Sequence, residues 1–176
     1  MEEIVFRKLA ATEPTKPFRS TNPALTQYFE TRLDHDIRTR QAQAHGLFLG
    51  EELVGIVTIS NASVERGSLS NRSRRSVGLN RGAYPVLPAM LIGRLAIAMG
   101  YTGRGYGKAL LARTLILIRE TAEVSGCAVV VVDPIDEVAA DFYRKAQFRE
   151  LHADASGRLF LLVEEIPIVR DVPGRY

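Results

Sequence analysis

The segment Thr102-Gly103-Arg104-Gly105-Tyr106-Gly107-Lys108 follows an apolar run, Met90-Leu91-Ile92-Gly93-Arg94-Leu95-Ala96-Ile97, and precedes Leu110, Leu111, Leu115 and Ile118 at helical spacing. Strand, glycine-rich turn and helix, in that order, are what a pyrophosphate site requires. Glycines let the backbone approach the phosphates and adopt positive φ, while free N–H groups and the helix dipole favour negative charge. A dinucleotide-binding loop expects an acidic residue about 20 positions on. Here Asp133 lies about 26 residues past Gly107, and the strand before the loop is the fourth in the chain, so that assignment is strained. The Gly-Lys-Ser/Thr of a Walker loop is absent. A tight turn without a ligand would not ask for three glycines alternating with cations or aromatics.

Outward from this segment, the chain reads as alternating strands and helices. Ile4 to Leu9 predicts a first strand, closed by the Pro14 and Pro17 region. Asn22-Pro23 starts a helix, since Asn accepts from the first free N–H groups and Pro at the first position loses nothing there. Tyr28, Phe29, Leu33 and Ile37 recur at three- or four-residue spacing, predicting an amphipathic helix to about Ala44. Leu47 to Leu49 and Leu53 to Ser60 predict a hairpin across Gly50-Glu51-Glu52. Asn61 to Pro88 reads as a long connection, of the kind that is functional or disordered in compact domains. After the Leu110 helix, which ends near Ser125-Gly126, Ala128 to Val132 is an uninterrupted apolar strand of the kind buried on both faces. Asp136 to Ala146 predicts a short helix and Leu159 to Val163 a last strand. One domain over residues 1–166 and a peripheral tail over 167–176 account for the chain.

Composition narrows the class. At 176 residues, the chain is long enough to bury one sizeable core. The single cysteine, Cys127, forms no intrachain disulfide and has apolar neighbours, which fits a buried thiol in a reducing compartment. The N-terminus carries charges and lacks a signal-peptide core, and no apolar run approaches the roughly 20 residues of a membrane span. A cytoplasmic protein is the expectation. His35, His45 and His152 lie far apart, so neither a metal site nor a Ser-His-Asp triad is expected. The net charge is +3, but Arg66, Arg72, Arg74, Arg75 and Arg81 fall in a stretch from Arg66 to Pro88 without Asp or Glu. That excess is a candidate footprint for a polyanion, or a solvated loop.

Arg94-Leu95-Ala96-Ile97, a spacer, and Gly103-Arg104-Gly105-Tyr106-Gly107-Lys108-Ala109-Leu110-Leu111 together resemble the coenzyme A motif of the GNAT N-acetyltransferases. Val131-Val132-Asp133, Ala140, Phe142-Tyr143 and Phe148 are similar to that family's next strand and helix, so the resemblance covers most of the chain. It implies an α/β (α+β) GNAT fold: a mixed, mostly antiparallel sheet of six or seven strands flanked by about four helices. It implies acetyl-CoA as cofactor, with backbone groups of Leu95, Ala96 and Ile97 pairing with pantetheine. The loop from Thr102 through Gly103, Arg104, Gly105, Tyr106 and Gly107 to Lys108 would hold the pyrophosphate, with Asp136 and Phe142 also on the cofactor. Tyr143 would protonate the departing thiolate. Tyrosine is a legitimate general acid, although helical spacing after Ala139 also suits a core residue. Three positions depart from the family pattern: Thr102 where Gln or Arg is usual, Asp136 where Asn is common, and Gln147 where Gly normally precedes Phe148. The first leaves the loop amides intact, while an acid at Asp136 would be mildly repulsive near phosphates.

Phe18, Asn22-Pro23-Ala24-Leu25, Tyr28-Phe29, Tyr84-Pro85-Val86 and Leu91 to Ala96 resemble the toxin-antitoxin acetyltransferases, which modify the amino group of aminoacyl-tRNA. That subgroup implies tRNA contacts at Arg72, Arg74, Arg75 and Arg81, because arginine pairs bidentately with phosphate. A cognate antitoxin and a homodimer are further implied. The alternatives are a small-molecule or protein-amine acetyltransferase, and a module that binds acetyl-CoA without turnover. The general base, with Glu65, Asp133 and a water chain as options, is left open.

Overall fold

In the computed structural model, residues 3–13, 15, 18–82, 84–152 and 156–168 are described. The Pro14 and Pro17 turn and the tail beyond Ile168 lie outside them. Seven strands and five α-helices form among these residues: β1 (Ile4–Lys8), α1 (Pro23–Thr31), α2 (Leu33–Arg38), β2 (Gln43–Leu49), β3 (Glu52–Glu65), α3 (Asn71–Ser76), β4 (Val86–Ile97), α4 (Tyr106–Ser125), β5 (Val129–Val132), α5 (Glu137–Lys145), β6 (Arg149–Glu150) and β7 (Leu159–Leu162). The strands make one mixed sheet in the order β1-β2-β3-β4-β5-β7-β6. β4 and β5 are parallel, whereas β1 with β2, β2 with β3, β5 with β7 and β6 with β7 are antiparallel. The expected sheet is thus present. Five helices flank it: α3 forms in a stretch read as connection, and the first expected helix is split into α1 and α2.

The described residues divide into two compact units, one within residues 3–60 and 93–115 and the other within residues 61–92 and 116–168. In the first, α1 begins as the sequence predicts, with the Asn22 side chain accepting from the N–H groups of Ala24 (2.9 Å) and Leu25 (3.3 Å). The predicted single helix to Ala44 is corrected to two short ones. The backbone breaks at Arg32 (φ −123°) and α2 stops at Arg38. Beyond it, Arg40 takes a left-handed φ of 59°, and Gln43 to Leu49 pair with β1 and β3 instead. Ladder bonds on both sides outweigh a marginal helical preference. Phe18, Tyr28, Phe29, Leu33, Ala44, Phe48, Ile56 and Ala96 form this unit's core, with Phe18 and Tyr28 each edge-on to Phe29 at 5.5 Å. Each such large side chain stabilises the fold by about 1.5–3 kcal/mol on full burial. His45, on β2, stacks on Phe6 at 5.3 Å with its Nδ1 buried and unbonded among the described residues. Burial, and secondarily Lys8 across the ladder, push its pKa down to about 4.

In the second unit, Val129 to Val132 are fully enclosed, as the apolar run predicted, and pair with β4 and with β7. Val64, Leu69, Leu87, Val129, Val131, Phe160 and Leu162 share its core. The expected loop from Asn61 to Pro88 is instead largely built. β3 continues to Glu65, a 3-10 turn covers Arg66–Ser68, and Ser70 caps α3 by accepting from the Ser73 N–H at 3.1 Å. Leu69 anchors that segment in the core at 1% exposure, a burial that composition alone concealed.

Candidate functional site

β4 delivers Leu95, Ala96 and Ile97 to the start of the glycine-rich loop, with Ala96 buried in the first unit's core and its two neighbours half-buried. The chain is then pinned: the Ala98 N–H donates to the Val54 carbonyl and the Met99 N–H to the Arg19 carbonyl, both at 2.8 Å. A 3-10 turn (Met99–Tyr101) leads into the loop, and Thr102 Oγ1 donates to the Met99 carbonyl at 3.2 Å. Tyr101 secures the root of the loop: its hydroxyl donates to Glu52 (2.5 Å), its ring packs edge-on against Tyr106, and the Arg104 guanidinium lies 5.5 Å above it.

Gly103 (φ 75°) and Gly105 (φ 87°) sit in the left-handed region, and a Cβ added to either would meet open space within 4 Å. The turn therefore needs glycine for its backbone and leaves the space above it clear for a ligand. Among the described residues, no protein acceptor takes the N–H groups of Gly103 through Lys108, and the first bond of α4 runs from the Ala109 N–H to the Gly105 carbonyl at 3.1 Å. Unpaired amides at the positive end of a 20-residue helix form an anion cradle. α4 comes this close to the sheet because residue 55 is glycine. A Cβ there would lie 2.9 Å from Ile97 Cδ1 and 3.1 Å from Leu110 Cδ2. Beside the root, a cavity of about 560 Å³ is floored by Phe18, Phe48, Leu53 and Met99.

The second unit holds Asp136, Phe142 and Tyr143. Asp136 caps α5, its carboxylate accepting from the Ala139 N–H at 2.8 Å, so the acid that departs from the family pattern has a local structural reason. Tyr143 is 7% exposed and packs between Phe142 (5.2 Å) and Phe148 (5.4 Å). Burial raises its phenol well above the ordinary value of 10, so the proton stays on the oxygen at neutral pH. The Tyr143 carbonyl accepts from the N–H groups of Ala146 and Phe148, closing α5. Between them Gln147 takes φ 71°, which explains why glycine suits that position. Asp133 is engaged in a bidentate pair with Arg158, both bonds 2.7 Å.

The arginines divide by role. Arg66 is a brace: its Nε donates to the Tyr84 carbonyl at 2.5 Å, its Nη1 to the Leu79 carbonyl, and its backbone N–H to Pro85. Arg74 is half-buried and donates to Asn71 Oδ1. Arg72, Arg75 and Arg81 are exposed, and none makes a hydrogen bond or ion pair among the described residues. Sequence reasoning missed the division, since only the fold distinguishes a guanidinium facing carbonyls from one facing water. It also missed the cluster of Arg94, Tyr28 and Asp36 in the first unit, which carries no spacing signal. Among the described residues, no group of three or more His, Cys, Asp or Glu side chains could hold a metal ion, and no helix is long and apolar enough to cross a membrane.

The sequence matches the model of the acetyltransferase (GNAT) family over residues 7–148. No curated protein matches it. Among solved structures, a tyrosine-to-phenylalanine mutant of KacT is 23% identical with a TM-score of 0.82, over 94% of this chain and 98% of that one. AtaT complexed with acetyl-methionyl-tRNAfMet is 22% identical with a TM-score of 0.82, over 93% and 97%. A tyrosine-to-phenylalanine mutant of the toxin AtaT, bound to the C-terminus of the antitoxin AtaR and to acetyl-CoA, is 21% identical with a TM-score of 0.76, over 93% and 95%. At this identity the likeness is one of fold.

Proposed function

Because this chain belongs to the GNAT acetyltransferase family, we propose that it moves acetyl from acetyl-CoA directly to a primary amine, the amino group of an aminoacyl-tRNA. The carrying observation is the open turn of Gly103 to Lys108, whose amides have no protein acceptor among the described residues and whose glycines leave room for a diphosphate. Acetyl-CoA supplies, when bound, an acetyl group activated as a thioester. The amides of the turn hold the diphosphate, and the backbone of Leu95 to Ile97 aligns the pantetheine arm. Thr102, Arg104, Tyr106 and Lys108 shape and charge the rim, and the family resemblance gives Asp136 and Phe142 a part in binding the same cofactor.

The amine arrives neutral and its nitrogen bonds to the acetyl carbon as the carbon–sulfur bond breaks. Tyr143 gives its phenolic proton to the departing thiolate, and the surplus amine proton leaves to water or to Glu65. The burial that raises the phenol would raise a thiol leaving beside it too, so donor and acceptor stay matched.

The tRNA acceptor is supported by the likeness to AtaT, seen with acetyl-methionyl-tRNAfMet, and by exposed Arg72, Arg75 and Arg81. Arg74, half engaged with Asn71, would add charge to that surface. An antitoxin partner follows from the same likeness to AtaT bound to AtaR. We place the protein in the cytoplasm, where charged tRNA is found, and as a homodimer.

Incubation with labelled acetyl-CoA and bulk charged tRNA, followed by mass spectrometry, is expected to show acetyl on the aminoacyl nitrogen. Labelling of free small amines alone would refute the tRNA acceptor. Tyr143→Phe is expected to lower kcat by about 10²–10⁴-fold with acetyl-CoA affinity retained, and an unchanged kcat would remove Tyr143 from the chemistry. Rate should rise through about pH 7.7–8.0 as the aminoacyl amine deprotonates. It should then hold to about pH 10, because the folded-state phenol titrates above an ordinary tyrosine.

A further inference from the structure

Arg94, on β4 next to Leu95, is exposed, and its guanidinium carbon lies 3.6 Å from the centroid of the Tyr28 ring. That ring cannot drift. It is 9% exposed, edge-on to Phe29, and its hydroxyl donates to Asp36 at 2.7 Å. Two residues along, Ala96 is buried in the same cluster as Tyr28 and Phe29, so the strand beneath the arginine is anchored as well. Stacking covers one face of the guanidinium and leaves its five N–H donors in the plane around it. Among the described residues, no carboxylate lies within ion-pair distance of Arg94 and no acceptor takes its donors. Asp36, the acid of the cluster, is engaged by the tyrosine. A cation held in place by an aromatic ring, with its fork unused, is pre-organised for an external anion that accepts bidentately.

We propose that Arg94 receives the phosphodiester between the last two nucleotides of the acceptor, setting the aminoacyl amine against the acetyl group. This rests on the acetyl-transfer reading, which puts pantetheine on the backbone of Leu95 to Ile97. In an aminoacyl-tRNA the amino acid carboxyl is esterified and carries no charge. The anion nearest the amine is therefore that phosphodiester, one nucleoside away. Arg94 differs in role from the exposed arginines of the second unit, because its effect reaches even the shortest acceptor that contains the phosphate.

The test uses three hydrolysis-resistant acceptors: an aminoacyl-adenosine amide, the same amide on cytidylyl-adenosine, and that dinucleotide with a neutral methylphosphonate link. With the unaltered protein, kcat/KM for the phosphodiester is expected to exceed that for the methylphosphonate by about tenfold or more, mainly through KM. Arg94→Gln should collapse that ratio toward one, and Arg94→Lys, which keeps the charge and loses the planar fork, should leave an intermediate ratio. On whole charged tRNA, Arg94→Gln should reduce the slope of log affinity against log salt by about 0.7. A ratio near one in the unaltered protein, a ratio indifferent to Arg94→Gln, or an unchanged salt slope overturns the proposal. So does an equal loss on free amino acids, which would make a carboxylate the anion. Acetylation of charged tRNA with a ratio of one removes only this inference, whereas no acetylation of charged tRNA at all removes the tRNA reading with it.

Discussion

The glycine turn at Gly103 to Lys108 and the arginine segment at Arg66 to Gly82 both present N–H donors, by opposite means. The turn uses main-chain N–H groups, fixed by two left-handed glycines and the start of a long helix, so its side chains are almost incidental. The arginine segment uses side chains, and part of it serves to hold the segment together: Arg66 donates to the carbonyls of Leu79 and Tyr84. A backbone site costs little entropy to order and tolerates substitution at every position except its glycines. A side-chain site must immobilise long arms on binding, and its affinity is surrendered to salt. Recognition of one invariant ligand suits the first, and grip on a large polyanion suits the second.

Substitutions can break this contrast. Gly105→Val should have the largest effect, because it puts a β-branched residue at φ 87° and a side chain into the ligand's space. Acetyl-CoA affinity is expected to fall by about a hundredfold or more, since the amides are both displaced and obstructed. Calorimetry checks this, and near-native affinity would mean that the turn is not the cradle.

Acid probes the β1–β2 ladder rather than the turn. His45 is neutral when folded, with a pKa of about 4, and the unfolded chain takes up the proton near its ordinary value of 6.5. Stability from this group is complete above about pH 6.5 and declines as pH falls toward 4. The loss is about 2 kcal/mol after allowing for residual exposure. Urea denaturation between pH 4 and 7 should show that decline, and His45→Gln should flatten it.

Third in size, Arg72→Glu with Arg75→Glu should weaken charged-tRNA binding about tenfold at low salt and lower the salt slope by about 1.4, leaving acetyl-CoA affinity intact. Filter binding across a salt series measures both, and an unaltered slope would return these arginines to the solvent. The smallest change belongs to the side chains of the turn. Thr102→Ala and Arg104→Ala should each shift acetyl-CoA affinity by less than about threefold, because a surface cation and a neutral hydroxyl contribute little beside six amides. A large loss from either would mean that the turn works through its side chains after all.

What could be read from the sequence follows the same division. The turn, α4, the four valines of β5 and the Asn22 and Asp136 starts were legible because glycine φ, helical period and capping act over a few residues. The end of α2 at Arg38, the existence of α3 and the two-residue β6 were not, since each depends on a partner strand or core far along the chain. Gln147 shows how a local rule can be right about the backbone and overruled on the residue. The position is left-handed, and glutamine occupies it at a cost of about 1 kcal/mol. Asp136 shows the reverse, since a charge that looks unwelcome beside phosphate is repaid as a helix cap. Arg94 lies within the local Arg94 to Ile97 motif, yet its stacking on Tyr28 links residues that are 66 apart in the numbering.

The short clip between Arg19-Ser20 and Ala98-Met99 gives the first helix a stake in the glycine turn. Ser20 is bridged to Ala98, and its hydroxyl accepts from the Asn22 N–H just before α1. Filling the turn should therefore be felt upstream, as slower deuterium uptake at Met99 and around Asn22. An environment-sensitive label at exposed Thr21 would turn the N-terminal helix into a gauge of cofactor occupancy.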